Sequence, residues 1–362
     1  MANNSKEKGK FGKFLEKQGI VFSAKRYFVD ALGAMAQGLF ASLLIGTILS
    51  TIGNQFGIGI LVTIGGFASA VMGPAMAVAI GYALKAPTYV LLSLAAVGYA
   101  ACQAGGAGGP LAVYLIAVIA CECGKLVSKL TPIDLIVTPI VTIGVGGLLS
   151  MFIAPYIAIA ASSVGNAIMW ATELQPFFMG MLVSLFVGVA LTLPISSAAI
   201  CAALGLTGLA GGAAVAGCCA NMVGFAVASF YENKWGGLVA QGIGTSMLQM
   251  GNIVKNPRIW IPALVASLVN GPVATCLFRL QMNGAAVSSG MGTCGLVGQI
   301  GVYTGWVNDI AAGTKAAITA TDWIGLVVVS FIIPGVISWL VCRLLRKVGW
   351  IKPGDMKLGA QQ

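Results

Sequence analysis

The sequence predicts an all-α polytopic membrane protein of about 10 transmembrane helices with at least one re-entrant hairpin. Three observations lead there. Of 362 residues, 58% are hydrophobic and 8% charged, too few charges to cover a water-soluble exterior. No arginine occurs between Arg26 and Arg258, and from residue 31 to 230 only Lys85, Glu122, Lys125, Lys129, Asp134 and Glu173 are charged. The 50 glycines lie inside the apolar runs. Glycine is wanted there where backbones approach closely or where a broken helix lines a cavity.

Residues 1–30 read as a cytoplasmic amphipathic segment, with Phe11, Phe14, Leu15, Gln18, Phe22 and Lys25 at roughly helical spacing. Its long basic stretch holds Glu7 and Glu16 and precedes no small-residue cleavage site, so it is not a cleavable signal. Residues 31–345 form the membrane domain, and residues 346–362 a cytoplasmic tail. The first span is expected at residues 31–52, the second at 61–84, interrupted by Gly73-Pro74 and closed by Lys85. The third, at residues 89–103, ends in a glycine run up to Pro110, and the fourth, at 111–130, carries Glu122, Lys125 and Lys129. Four crossings bring those lysines back to the side of the basic N-terminus, as the positive-inside rule requires.

Four further crossings are expected at residues 133–150, 152–172, 177–193 and 203–230. Pro132, Pro139, Pro155, Pro176 and Pro194 fall at or inside their ends, which predicts kinked or broken helices. Residues 236–256 are too polar to span, yet Gln241, Thr245, Gln249 and Asn252 recur at spacings of four, four and three. That places them on one helix face, either of a cytoplasmic surface helix or of a half-helix lining a cavity. Residues 259–278 then cross outward. If residues 285–306 crossed once, the last helix (323–345) would leave Arg343, Arg346 and Lys347 outside; a re-entrant hairpin keeps them inside. An internal echo, residues 194–209 against 286–298, adds paired interrupted segments of the kind that mark transport sites.

The chemistry is sparse. Without histidine the commonest general base and zinc ligand is missing. The nine cysteines read as small apolar fillers, and no glycine run continues into a phosphate-binding loop. No catalytic residue, metal site or cofactor is expected. Seven of the 20 basic residues precede Tyr27 and five lie from Arg343 onward, so the partner of the +10 charge is membrane lipid, not nucleic acid. A desolvated sugar hydroxyl must recover its hydrogen bonds. The candidates for that are Asn221, Asn270, Asn283, Ser288, Ser289, Thr293 and Gln299, each of which would equally serve as a helix–helix hydrogen bond. Glu122 and Asp134 read as rim salt bridges with Lys125 and Lys129, and Asp309 as a solvated residue of an outer loop. No proton or sodium relay emerges. Most of the seven tryptophans fall near predicted helix ends, as an aromatic belt would.

Residues 241–256 (QGIGTSMLQMGNIVKN), Pro257 to Pro262, Asn270-Gly271-Pro272 and Met291-Gly292-Thr293-Cys294-Gly295-Leu296-Val297-Gly298, in that order, carry a resemblance. From about residue 31 to 345 the chain resembles the enzyme IIC-like membrane family of the bacterial phosphotransferase system, which includes PfoR-type regulatory proteins. The resemblance implies a dimeric inner-membrane permease that passes a sugar while an enzyme IIB phosphorylates it. No IIB or IIA domain is fused here, so those partners would act in trans. The family's best-known permeases use an acidic residue in a re-entrant hairpin, and residues 288–301 contain none. The alternatives are a membrane sensor with a permease fold and little transport, or a secondary carrier independent of phosphotransfer.

Overall fold

The computed structural model describes residues 10–359, and among them the only β pairing is an isolated bridge between Gly208 and Met282. With so few polar side chains, helices here approach through glycines. After the short α1 (Lys10–Lys17), α2 runs from Arg26 to Asn54. It packs antiparallel on the next two helices, Gly53 against Val62, Gly46 against Gly65 and Gly38 against Ala75 and Met76. Those two, α3 (Gly59–Ala70) and α4 (Met72–Ala83), meet at a 49° bend. The expected break at Gly73-Pro74 falls instead at Val71, and Pro74 sits in the first turn of α4, where its missing N–H breaks no helical bond.

Next come α5 (Thr88–Gly105) and α6 (Gly109–Val127). Val90, near the start of this run, touches Gly124 near its end. A straight helix would hold them about 50 Å apart. The run is therefore two antiparallel arms turned at Gly106 (φ +50°), as the glycine run predicts. α7 (Asp134–Phe152) lays Thr142 on Gly124 and Gly146 on Val97, and after a break at Ile153 α8 (Ala154–Thr172) brings Ile157 onto Gly108.

The second half opens with α9 (Pro176–Thr192), the short α10 (Ser197–Ala203) and α11 (Gly208–Ala228). Then follow α12 (Phe230–Val239), α13 (Met250–Lys255), α14 (Pro257–Leu277), α15 (Val297–Ala311) and α16 (Ala320–Lys347). α14 is antiparallel to α9: Thr275 donates to the Pro176 carbonyl (2.8 Å), Gly271 lies on Gly180, and Ser184 donates to the Ser267 carbonyl (2.8 Å). α11 is parallel to α9, since Ser184 meets Gly217 and Gly188 meets Asn221. The most apolar stretch of α11 is 89% buried, against 22% for α7, so α11 is the axis of this half. α16 closes it, with Ser338 packed on Gly224.

Among the described residues, six helical runs are long and apolar enough to cross a membrane, or seven counting the bent α3–α4 pair. One of the six is the α5–α6 hairpin. The expected crossing at residues 152–172 forms a helix that is not among them, and α9 is apolar but shorter. The start of α2 and the C-terminal tail gather at α13: Gly251 packs on Val29, and Asn252 donates to the Lys357 carbonyl (3.0 Å). The tail packs down, with Ile351 and Met356 buried.

Candidate functional site

Because α9 and α11 run parallel, the chain must return between them, about 25 Å, within residues 193–207. It does so through α10 flanked by extended backbone at Leu193, Ser196 and Thr207. A second interruption lies between α14 and α15. Gly208 and Met282 exchange backbone hydrogen bonds (3.0 and 2.9 Å), the chain advances in 3-10 turns through Ala286–Gly290, and Gly292, Gly295 and Leu296, all left-handed, reverse it. The return arm is α15: Gly298 lies on Gly292, Gly301 on Ser288, and Gly305 on Asn283 and Gly284. Residues 281–311 are thus a hairpin with one irregular arm and one helical arm.

The two stretches that echo each other in sequence are in contact. Ser197 donates to the Gly290 carbonyl (2.7 Å) and Ser289 to the Leu206 carbonyl (2.9 Å). Beside the hairpin tip lies a narrow cavity of about 60 Å³, lined by Leu43, Ser196, Ser197, Thr245, Met291 and Cys294 among others. It has room for water, not for a sugar. At the hairpin base a cavity of about 520 Å³ is lined by Arg279, Gln281, Asn283, Trp306, Asp309 and Lys315 among others. Asn283 donates to both Asp309 carboxylate oxygens (3.1 and 2.9 Å) and accepts from the Gly208 N–H (3.1 Å). Lys315 pairs with Asp322 (2.9 Å), and Trp306 is buried, edge-on to Trp323. Arg279 holds a left-handed φ of +45°, a conformation costing a non-glycine residue on the order of 1 kcal/mol.

Of the seven expected sugar-binding residues, Asn283 alone lines the wide cavity. Asn221 is saturated: it donates to Gly217 O (3.3 Å) and Ser267 Oγ (3.1 Å) and accepts from Thr192 (3.1 Å) and Trp260 Nε1 (2.9 Å). Asn270 ties α14 to α11 and α16 through the Ala216 and Val329 carbonyls (2.9 and 2.8 Å), and Gln299 donates to Ser330 Oγ (2.9 Å). Asn270 Oδ1 and Gln299 Oε1 are buried without a partner. Thr293 is fully buried and its hydroxyl donates to Met222 Sδ (3.5 Å), and Ser288 packs on Gly301.

Several expectations change. Asp309 is half-buried and not a loop residue; it sits on the last turn of α15, gripped by Asn283. Trp260 donates its indole N–H to the interior amide of Asn221. Glu122 does pair with Lys125 (3.1 Å), but Asp134 accepts from the Lys129 backbone N–H (2.7 Å) and Thr138 (2.6 Å), not from a lysine side chain.

Residues 236–256 do not form one helix. A π turn through Gly244 ends at Thr245, which is extended (φ −156°) and accepts from the Met247 N–H. The other three amides still meet. Gln249 donates to Gln241 (2.8 Å) and Asn252 to Gln249 (2.8 Å), while Gln249 also holds the Met356 carbonyl (2.9 Å). This is a clamp on the tail. Gln249→Leu takes the donor from Gln241 Oε1 and from the Met356 carbonyl, while Asn252 keeps the Lys357 carbonyl, a loss on the order of 2 kcal/mol. Limited trypsinolysis should then cut after Lys357 several-fold faster than in the wild type.

Residues 29–358 match the family described as Phosphotransferase system, EIIC. No curated protein and no solved structure matches the chain.

Proposed function

The chain belongs to the phosphotransferase system EIIC family of membrane permease components, and we propose that it carries a sugar or similar polar solute while IIA and IIB proteins in trans phosphorylate it. In this reading the protein is a homodimer in the bacterial inner membrane with both termini cytoplasmic, and residues 281–311 are re-entrant. One observation supports it above the rest. The same hairpin walls the wide cavity with Gln281 and Asn283 and the narrow one with Met291 and Cys294.

The wide cavity is the entry site. At about 520 Å³ it falls within the range of small-molecule sites, about 300–1,000 Å³. Trp306 walls the cavity with a buried ring under Lys315, and Asp309 and Asn283 offer a fixed acceptor and amide to a sugar's hydroxyls. Ser288, Ser289 and Thr293 then ride on the hairpin that must move for solute to pass the narrow point, while Asn221, Asn270 and Gln299 hold the helices around it.

The saturated amide of Asn221 and the small volume of the cavity at the hairpin tip also fit a sensor that binds without flux. Right-side-out vesicles separate the readings. A permease takes up sugar only with phosphoenolpyruvate and cognate IIA and IIB inside, and Asp309→Ala lowers uptake at limiting sugar about tenfold or more, the loss of one charged hydrogen bond. Binding without uptake establishes the sensor; uptake driven by a proton or sodium gradient alone establishes the secondary carrier.

A further inference from the structure

A third cavity, of about 420 Å³, lies where α11 passes into α12 beside the last turns of α16. Its lining includes Phe230, Tyr231, Lys234, Trp339, Arg343 and Arg346, and no carboxylate. Arg346 is neutralised, donating to Glu232 (3.1 Å) and the Ala228 carbonyl (3.3 Å). Lys234 and Arg343 have no ion pair among the described residues; each lies over an aromatic ring, 5.0 Å from Tyr231 and 5.2 Å from Trp339. Their N–H donors stay available while the rings hold the chains in place. Lys234 also breaks α12 with a backbone (φ 53°, ψ −153°) that non-glycine residues avoid, a strain that persists only where its surroundings fix it.

The rim identifies the medium. Tyr231 and Trp235 are 74% and 71% exposed, and Trp339, Leu340 and Leu344 on the membrane-spanning α16 are exposed beside them. Aromatic rings at a span's end mark the headgroup layer. A cationic, carboxylate-free cavity opening there through apolar residues fits a phosphate with hydrocarbon attached. A soluble phosphoprotein would meet this apolar rim as a barrier. We propose that this cavity holds an anionic phospholipid, its phosphate between Lys234 and Arg343 and its chains along Trp339 and Leu340.

The test is lipid retention by the full chain, read by native mass spectrometry with cardiolipin or phosphatidylglycerol against phosphatidylcholine. Anionic lipid should be retained selectively. Lys234→Gln and Arg343→Gln should each weaken it about fivefold, and together about twenty-fivefold. Lys234→Arg, which keeps the charge, and Lys255→Gln, a cation outside the cavity, should retain it. Unchanged retention in the double variant overturns the proposal. So does equal retention of phosphatidylcholine, which would leave an apolar groove, or full displacement by millimolar inorganic phosphate, which would leave a plain anion site. Specific retention of a phosphorylated partner protein in place of lipid overturns it as well.

Discussion

Gly217→Val is expected to leave almost no folded protein. A Cβ at Gly217 would land on the Ser184 carbonyl, and one at Gly271 on the Gly180 carbonyl. These contacts are backbone on backbone, at the crossing of α9, α11 and α14. Overpacking costs about 1–3 kcal/mol where side chains yield, and here two helices of the central bundle would have to separate. The readout is the monodisperse fraction on size exclusion in detergent, with the thermal midpoint of whatever survives. Gly144→Ala is the control, since nothing lies within 4 Å of a Cβ there, and it should be neutral or slightly stabilising. A normal yield of Gly217→Val would mean that α9 and α11 do not cross as described.

The second large effect is expected from Asn221→Leu. Leucine fills a similar volume but removes an amide that four groups use. Thr192 keeps Ser246 (2.8 Å) and Ser267 keeps the Ala263 carbonyl (3.0 Å), so the Trp260 N–H is the group truly stranded. Orphaning one buried donor and losing the other bonds costs about 2–4 kcal/mol together. The thermal midpoint should fall by several degrees while the sugar concentration for half-maximal uptake stays put. Trp260→Phe added to Asn221→Leu should recover part of the loss, because the orphan is gone. Unchanged stability with abolished uptake would instead make Asn221 a solute ligand. Asp309→Ala should show the opposite pattern, an unchanged thermal midpoint with uptake at limiting sugar down about tenfold or more.

The helices were legible because membrane thickness fixes the apolar length a span needs, and the described ones begin and end within a few residues of most predicted ones, although six or seven runs, against the about ten expected, are long and apolar enough to cross. A fold-back near residues 285–306 was legible from the glycines of 290–298, which are poor helix formers, and Gly301 does return onto Ser288. Residues 236–256 misled because helical spacing of Gln241, Thr245, Gln249 and Asn252 presumes a continuous helix. Gly242 and Gly244 loosen the backbone, and Thr245 ends it. The wide cavity was the least legible feature. Asp309 reads as an ordinary loop carboxylate until α15 folds back and delivers it to Asn283. An asparagine in an apolar run looks the same whether it binds solute or neighbouring helices; only its partners tell, and for Asn221 all are helices.

The contact between Ser197 and Gly290 also sets a timetable. The two residues are 93 positions apart, so a ribosome making roughly 5–20 residues per second exposes one roughly 5–20 s before the other exists. Through that interval Ser196 N–H already holds the Ala107 carbonyl (2.8 Å), but the Ser197 hydroxyl and the Leu206 carbonyl still lack Gly290 and Ser289. Biogenesis of the middle of this protein is therefore completed by its last third. A nascent chain halted before Ala286 is left with an unsealed segment, the kind of species that membrane proteases clear.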